Sequence, residues 1–193
     1  MIHLSRNRTA TVVAAFAAFV FVTFLVVGAS RAAFADSTDN TSNTVSAAGI
    51  VLDDDDSGSA MFSVAGMKLG DVQTKCITVT YNGTITTGAP IQLYRSGAPT
   101  GDGLETYLTA VIDIGTGGSS TTCTGFTLGS NLHNGTLASF LSTYTSYASG
   151  LSTAWTPTGA AQSRTFRVAL TMQDNNLAQA KSVGFGFTWE ARS

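Results

Sequence analysis

The residue types that most often carry out catalysis are scarce in this sequence. The chain has two histidines, and because His3 precedes the apolar N-terminal stretch, the rest of the chain contains only His133. A zinc peptidase typically needs a His-Glu-x-x-His pair, and many serine hydrolases need a Gly-x-Ser-x-Gly elbow; the sequence contains neither pattern. His133 lies in the turn-like stretch Asn131–Gly135, which favours a solvated loop histidine over a catalytic one.

Two carboxylates at a suitable separation would be enough for glycoside hydrolysis. Glu105, Asp113 and Glu190 are the only acids at plausible strand positions. Residues that are distant in sequence can meet in the fold, so a glycosidase site formed by two of these acids is still possible at this point. Few acids are available to form it.

The densest charge cluster is Asp53–Asp56, followed by Ser57 and Gly58. Alternate carboxylate oxygens in this stretch could bind Ca²⁺, a hard cation that prefers oxygen ligands. The distant glutamate of the calcium-loop pattern is missing, however, and acids with glycine also suit an exposed hairpin turn. We favour the turn, expect no cofactor or metal, and leave calcium binding open here.

Cys76 and Cys123 are the only two cysteines. An even pair outside the cytoplasm usually forms a disulfide. A redox motif would place the cysteines two apart, and a zinc site would place further ligands nearby. We therefore predict a structural Cys76–Cys123 disulfide, which would stabilise the fold by about 4 kcal/mol in the chain-entropy account.

The N-terminal segment has the features of an export signal. Arg6 and Arg8 precede the apolar stretch Val12–Val27, and Ala33-Phe34-Ala35 has the small-x-small pattern of a signal-peptidase site. We predict a signal peptide over residues 1–35, cleaved between Ala35 and Asp36, and a secreted, extracellular protein. A retained N-terminal anchor is the alternative.

Cleavage would also set the charge of the mature chain. Arg6, Arg8 and Arg31 are three of the ten basic residues and would leave, whereas all twelve acidic residues would stay, which gives seven basic against twelve acidic residues and a net charge of −5. A mildly acidic surface argues against a nucleic-acid partner and against anionic lipid. We expect contact with a membrane only through the signal segment.

The body of the chain alternates apolar and polar residues with a period of two, which indicates strands with one buried face. Glycine-rich stretches and an Asn82-Gly83 turn signal separate these runs. After the N-terminal segment, the pattern predicts an all-β domain over residues 47–193. We expect this domain to be a jelly-roll-like antiparallel β-sandwich. The predicted strands are Ala48–Leu52, Ala60–Val64, Lys75–Tyr81, Ile91–Arg95, Tyr107–Ile114, Arg164–Met172 and Val183–Glu190.

Short helices are expected at two places. Thr136–Ser149 has apolar residues at offsets of three and four, which predicts one amphipathic helix over an end of the sandwich. Asp174–Lys181 is expected to contain a helical turn between the last two strands.

The order and spacing of several short segments resemble the TasA/camelysin family of exported matrix and cell-surface proteins, in an actinobacterial form. Ala33-Phe34-Ala35-Asp36 followed by Asn43–Gly49 is similar to the family's export junction. Met61–Asp71 is similar to its F-x-x-x-x-M-x-P-G-D segment, Val79–Gly83 to its x-V-x-N-G motif, and Phe187–Glu190 to its closing strand.

The resemblance has consequences for fold and function. It implies a jelly-roll-like sandwich, export through a dedicated signal peptidase, and, for the TasA branch, extracellular fibres in which the N-terminal strand of one subunit completes the sheet of the next. Camelysin-like relatives imply a metallo-endopeptidase as an alternative. Leu69 departs from the family pattern, which often has proline there.

The polar extension after the cleavage site is the candidate donor strand, because a free extended segment can pair with an open sheet edge. A disordered terminus is the alternative. Within the extension, residues 36–46, the candidate donor residues are Asp36, Ser37, Thr38, Asp39, Asn40, Thr41, Ser42, Asn43, Thr44 and Val45.

The sequence thus predicts a secreted, non-catalytic structural subunit of an extracellular fibre or biofilm matrix, whose partners are copies of itself. A monomeric surface-binding or adhesion module is the alternative, and a secreted metallo-endopeptidase is the third hypothesis.

Overall fold

The computed structural model describes residues 35–39 and 49–193. Within this part of the chain most residues with regular structure lie in strands, and every strand pairing is antiparallel. The predicted all-β sandwich class is therefore confirmed. The predicted signal segment, residues 1–35, lies outside the described residues except for Ala35.

The larger sheet has five strands in the order β2-β3-β9-β6-β7. Its central strands are long and follow the predicted alternation, with one side chain in two facing the core. The bounds are β2 Leu52–Asp54, β3 Val72–Tyr81, β6 Leu108–Thr116, β7 Thr127–Thr136 and β9 Gln162–Met172.

The smaller sheet has four strands in the order β1-β11-β4-β8, so the first strand of the described chain pairs with the last. Two further strands, β5 and β10, form a separate pair. The bounds are β1 Ala35–Asp39, β4 Gln92–Arg95, β5 Thr100–Gly101, β8 Leu151–Ser152, β10 Val183–Gly184 and β11 Phe187–Arg192.

The two sheets pack face to face through large side chains. Phe166 of β9 lies with its ring centroid 5.3 Å from that of Trp189 of β11, and both side chains are fully buried. Phe187 extends this layer, with its ring centroid 6.0 Å from that of Trp189. Burial of each such side chain contributes about 2–3 kcal/mol, so this aromatic layer contributes substantially to the packing of the sheets.

One α-helix is present in the described residues: α1 (Leu137–Thr143), which follows β7 directly. Thr136 caps it, since its side chain accepts a hydrogen bond from the Ser139 backbone N–H at 3.0 Å. Phe140 anchors the helix to the smaller sheet, with its ring 5.4 Å from that of Phe187. The helix is shorter than the predicted Thr136–Ser149, because the chain turns at Tyr144 and continues as a separate 3₁₀ turn, Tyr147–Ser149.

Several predicted strands differ from the structure. Ala60–Val64 forms no strand: Met61 is buried and Phe62 is half-buried, whereas Ala60 and Val64 are exposed. The predicted Val183–Glu190 strand is divided into β10 and β11, since Phe185 and Gly186 lie between two different pairings. Strand β7 was not predicted, and the expected turn within Asp174–Lys181 is present as the 3₁₀ turn Asn176–Ala178.

No helix in the described part of the chain is long and apolar enough to cross a membrane.

Candidate functional site

The site of interest is the edge of the smaller sheet, where β1 pairs with β11. The pairing runs from Ala35 opposite Arg192 to Asp39 opposite Thr188. On its other side β11 pairs with β4, from Phe187 opposite Arg95 to Glu190 opposite Gln92. Within the described chain, β1 is thus the only strand that satisfies this edge of β11.

Strand β11 is buried on both faces, which is unusual for a strand next to a sheet edge. Trp189 and Ala191 face the core. Thr188 and Glu190 alternate with them on the other face, yet only 4% and 6% of their surfaces are exposed. The backbone N–H and C=O groups at this edge lie in the plane of the sheet, where β1 supplies their partners.

A charged cluster holds the outer face of β11. The Glu190 carboxylate accepts a hydrogen bond from the Tyr94 hydroxyl and pairs with Arg192 Nε at 2.7 Å. The Arg192 guanidinium lies 3.9 Å from the ring centroid of Tyr147. In the register, Ser37 lies opposite Glu190 and Ala35 opposite Arg192, so β1 runs directly beside this cluster.

The other sheet edges in the described chain are short or irregular. Strand β8 has two residues and β2 has three. Strand β7 has ten residues, but its register against β6 shifts between Ile112 and Asp113 and again between Ile114 and Gly115. Such bulges twist an edge and discourage pairing with another chain. At the other end of the smaller sheet β1 is the outermost strand, and its pairing with β11 is regular over five residues.

The predicted export and donor residues are placed only in part. Ala35 and Asp36, the predicted cleavage pair, and Ser37, Thr38 and Asp39 form β1. The other predicted donor residues lie outside the described residues: Asn40, Thr41, Ser42, Asn43, Thr44 and Val45.

The predicted disulfide is present: Cys76 of β3 is bonded to Cys123, with their Cα atoms 5.4 Å apart. It ties residues 117–126, here called the outer loop, to the outer face of the larger sheet. Asp55 adds a second tie, because its carboxylate accepts hydrogen bonds from the backbone N–H groups of Thr78 and Ser120, each at 2.8 Å. Arg167 adds a third by lying 4.6 Å from the Phe126 ring centroid.

The strand acids do not form a two-carboxylate site. Asp113 alternates with core residues of β6 and faces outward from the larger sheet, where it pairs with Arg167 Nη2 at 2.7 Å and with Asn131 Nδ2 at 2.8 Å. Glu190 faces outward from the smaller sheet. The two carboxylates therefore lie on opposite sides of the sandwich. Glu105 lies in a 3₁₀ turn, Leu104–Tyr107.

His133 is not the solvated loop residue that the sequence predicted. It lies in β7, half-buried against the rings of Phe140 and Tyr144, with centroid distances of 5.5 and 6.0 Å. Burial lowers its pKa, although a hydrogen bond to the Thr136 backbone acts in the opposite direction. Its Nε2 is buried and has no hydrogen-bond partner among the described residues, so it packs as part of the aromatic layer under α1.

Asp53 and Asp54 lie in β2, and the predicted turn follows them: Asp56 Oδ1 accepts a hydrogen bond from the Gly58 backbone N–H at 2.7 Å. The predicted hairpin is absent from the described residues, because β2 pairs with β3 and not with the residues after the turn. Asp55 is committed to backbone groups, as described above. No group of three or more acidic, histidine or cysteine ligands in the described residues could hold a metal ion.

Two features of the structure have only weak sequence signals. The Glu190 cluster depends on Tyr94 and Tyr147, which are distant in sequence and were not grouped by any motif. The pairing of β1 with β11 joins the two ends of the described chain, and period-two patterns do not specify partners.

Comparison with protein-family models and with curated proteins finds no match for this sequence.

Proposed function

We propose that this protein is a secreted, non-catalytic structural subunit that assembles into an extracellular fibre by exchanging its N-terminal strand. In the assembled form, residues 36–39 of one subunit would occupy the β11 edge of the next subunit in the same register that β1 adopts here. The observation that carries this proposal is the β1–β11 pairing itself. A terminal segment completes an edge of a strand that is buried on both faces.

The exchange requires a connection long enough to reach a neighbour. Residues 40–48 join β1 to the body, and an extended chain of that length spans up to about 30 Å. Strand β1 forms the same backbone hydrogen bonds whether it pairs with β11 of its own chain or with β11 of a neighbour. The balance between the monomer and the exchanged form therefore depends on the connecting residues 40–48 and on protein concentration. When each subunit gives to one neighbour and receives from another, the contact does not close and a filament results.

The resemblance to TasA/camelysin proteins is consistent with this function. It adds to the proposal a jelly-roll-like course of the strands, export with cleavage between Ala35 and Asp36, and a dedicated signal peptidase. The surface chemistry is also compatible, since a chain with few charges lets neighbours approach closely. Copies of the chain are the proposed partners, in an extracellular matrix or on the cell surface.

The alternative is a monomeric surface-binding module. In that case the β1–β11 pairing would stay within one chain and the N-terminal strand would simply close the sheet. The third hypothesis, a metallo-endopeptidase, has less support, because the described residues bring together no set of metal ligands and His133 packs against aromatic rings.

Electron microscopy of the mature chain, residues 36–193, tests the proposal. We expect filaments from the native sequence and none from a Ser37→Pro/Thr38→Pro variant. Alternate residues of an antiparallel edge donate hydrogen bonds to the partner strand, so one of these two prolines must remove a donor. The matched control, Ser37→Ala/Thr38→Ala, keeps both N–H groups and should form filaments. Monomeric particles from the native chain at high concentration would support the monomeric alternative.

A further inference from the structure

A groove of about 650 Å³ lies between residues 60–67 and residues 178–187. Buried residues of the larger sheet, Leu108, Leu170 and Met172, line its interior. Its size falls within the range of small-molecule sites, which are about 300–1,000 Å³ and mostly apolar.

Methionine is concentrated in this groove. The sequence has four methionines, and the three that follow Met1, namely Met61, Met67 and Met172, all line it. Phe62 and Phe185 lie beside them with ring centroids 6.2 Å apart. Methionine is flexible and polarizable, and it is favoured at surfaces that adapt to varied apolar ligands. We call this site the methionine groove.

One wall of the methionine groove is held by side chains alone. Residues 62–67 make no backbone hydrogen bond with any other residue that the structure describes. Val64, in the middle of this wall, is 42% exposed. A wall without backbone pairing can move to admit a ligand at low energetic cost.

The charge of the methionine groove restricts the kind of ligand. Lys181 is the only charged side chain among the described residues that line it. Its Nζ donates a hydrogen bond to the Asp102 backbone oxygen at 2.9 Å and lies 5.9 Å from the Tyr107 ring centroid. In the part of the chain that the structure describes, no acidic side chain lines the groove, although the chain as a whole is acidic. Its methionine and phenylalanine side chains, with one neighbouring cation, complement an alkyl chain that carries one negative charge.

We propose that the methionine groove binds a long-chain aliphatic carboxylate, with the alkyl chain among the methionine and phenylalanine side chains and the carboxylate beside Lys181. This binding does not depend on fibre assembly, so it can be measured in the Ser37→Pro/Thr38→Pro chain. An extended peptide from another copy is the competing occupant, because the unpaired wall of residues 62–67 also offers backbone groups.

The test uses cis-parinaric acid, whose fluorescence rises in an apolar site, displaced by oleate or by oleyl alcohol at neutral pH. We expect saturable binding and displacement by oleate. Val64→Asp places a carboxylate on an exposed part of the wall and should weaken oleate binding about tenfold or more. Lys181→Gln should weaken oleate by up to about fivefold and leave oleyl alcohol unchanged, as for an exposed ion pair.

Lys75→Gln is the matched control, because Lys75 is exposed and does not line the methionine groove; it should bind like the native chain. Circular dichroism of each variant verifies the fold. The proposal is overturned if binding does not saturate, if folded Val64→Asp binds oleate normally, or if Lys181→Gln affects the acid and the alcohol equally. Displacement of the probe by a peptide of residues 36–45 would also overturn it.

Discussion

At the scale of single residues, the buried carboxylates are the groups through which pH and charged partners affect the stability of this β-rich protein. Asp113 and Glu190 each have a cationic partner at 2.7 Å, on opposite outer faces of the sandwich. Asp56 lies among other acids instead, and burial, with contributions from Asp54 and Asp55, raises its pKa to about 6. Two of these acids were noticed in the sequence as strand acids, but their partners follow only from the fold.

Asp56 should make stability depend on pH. Its pKa in the folded state exceeds the ordinary value of 3.8, so the folded state holds the proton more tightly than the unfolded state and stability falls as pH rises from about 4 to above 6. Asp56→Asn, which keeps the Oδ1 acceptor, should therefore raise the melting temperature at pH 8 by a few degrees, about 2–4 °C. At pH 4 the two proteins should melt together.

Thermal melts between pH 4 and pH 8 measure this effect, with Asp174→Asn as the exposed control. An equal rise in the melting temperature of Asp56→Asn at pH 4 and at pH 8 would show that titration of Asp56 is not the cause.

Removal of the Glu190 carboxylate should destabilise the smaller sheet. Glu190→Ala leaves the Tyr94 hydroxyl and the Arg192 guanidinium without their acceptor, and a lost hydrogen bond to a charged group costs about 1.5–3 kcal/mol. We expect a loss of about 2 kcal/mol in urea unfolding. Glu105→Ala, in the 3₁₀ turn, is the control and should change stability by less than about 0.5 kcal/mol. Equal effects of the two substitutions would show that the Glu190 cluster does not support β11.

At the scale of elements, the strands with strict alternation were predictable and the irregular ones were not. Strands β3, β4, β6 and β9 follow the predicted runs within a few residues, because each buries one face against the aromatic layer. The sequence does not predict strand β7, because TLGSNLHNGT has few apolar residues and therefore no clear alternation. Its pairing with β6 is also interrupted by two bulges. Ala60–Val64 was predicted as a strand because it is apolar, but its side chains line a groove instead.

The outer loop should depend on the disulfide for its stability. Cys76→Ala/Cys123→Ala removes a covalent tie that typically contributes about 2–4 kcal/mol, so the midpoint of urea unfolding should fall accordingly. Hydrogen exchange should increase most in residues 117–126. The remaining ties through Asp55 and Arg167 should keep the sandwich folded. An increase in hydrogen exchange that is equal across the whole chain would contradict this local role of the disulfide.

At the scale of the whole molecule, the central question is which chain supplies the strand beside β11. The sequence predicted a donor segment but could not specify its acceptor, because polar residues carry no information about pairing partners. The structure places residues 35–39 on β11 and gives the register. It also shows that the other described edges are short or bulged. The proposed exchange uses this same register between copies.

A cysteine pair across the β1–β11 register tests this claim most directly. Asp39 lies opposite Thr188, and antiparallel partners approach closely enough for a disulfide. After assembly and oxidation, the mature Asp39→Cys/Thr188→Cys chain should give a ladder of covalent oligomers on a non-reducing gel. Asp39→Cys alone, the control, should give no ladder beyond a dimer. A cross-linked monomer as the sole product, at concentrations where the native chain is assembled, would contradict strand exchange.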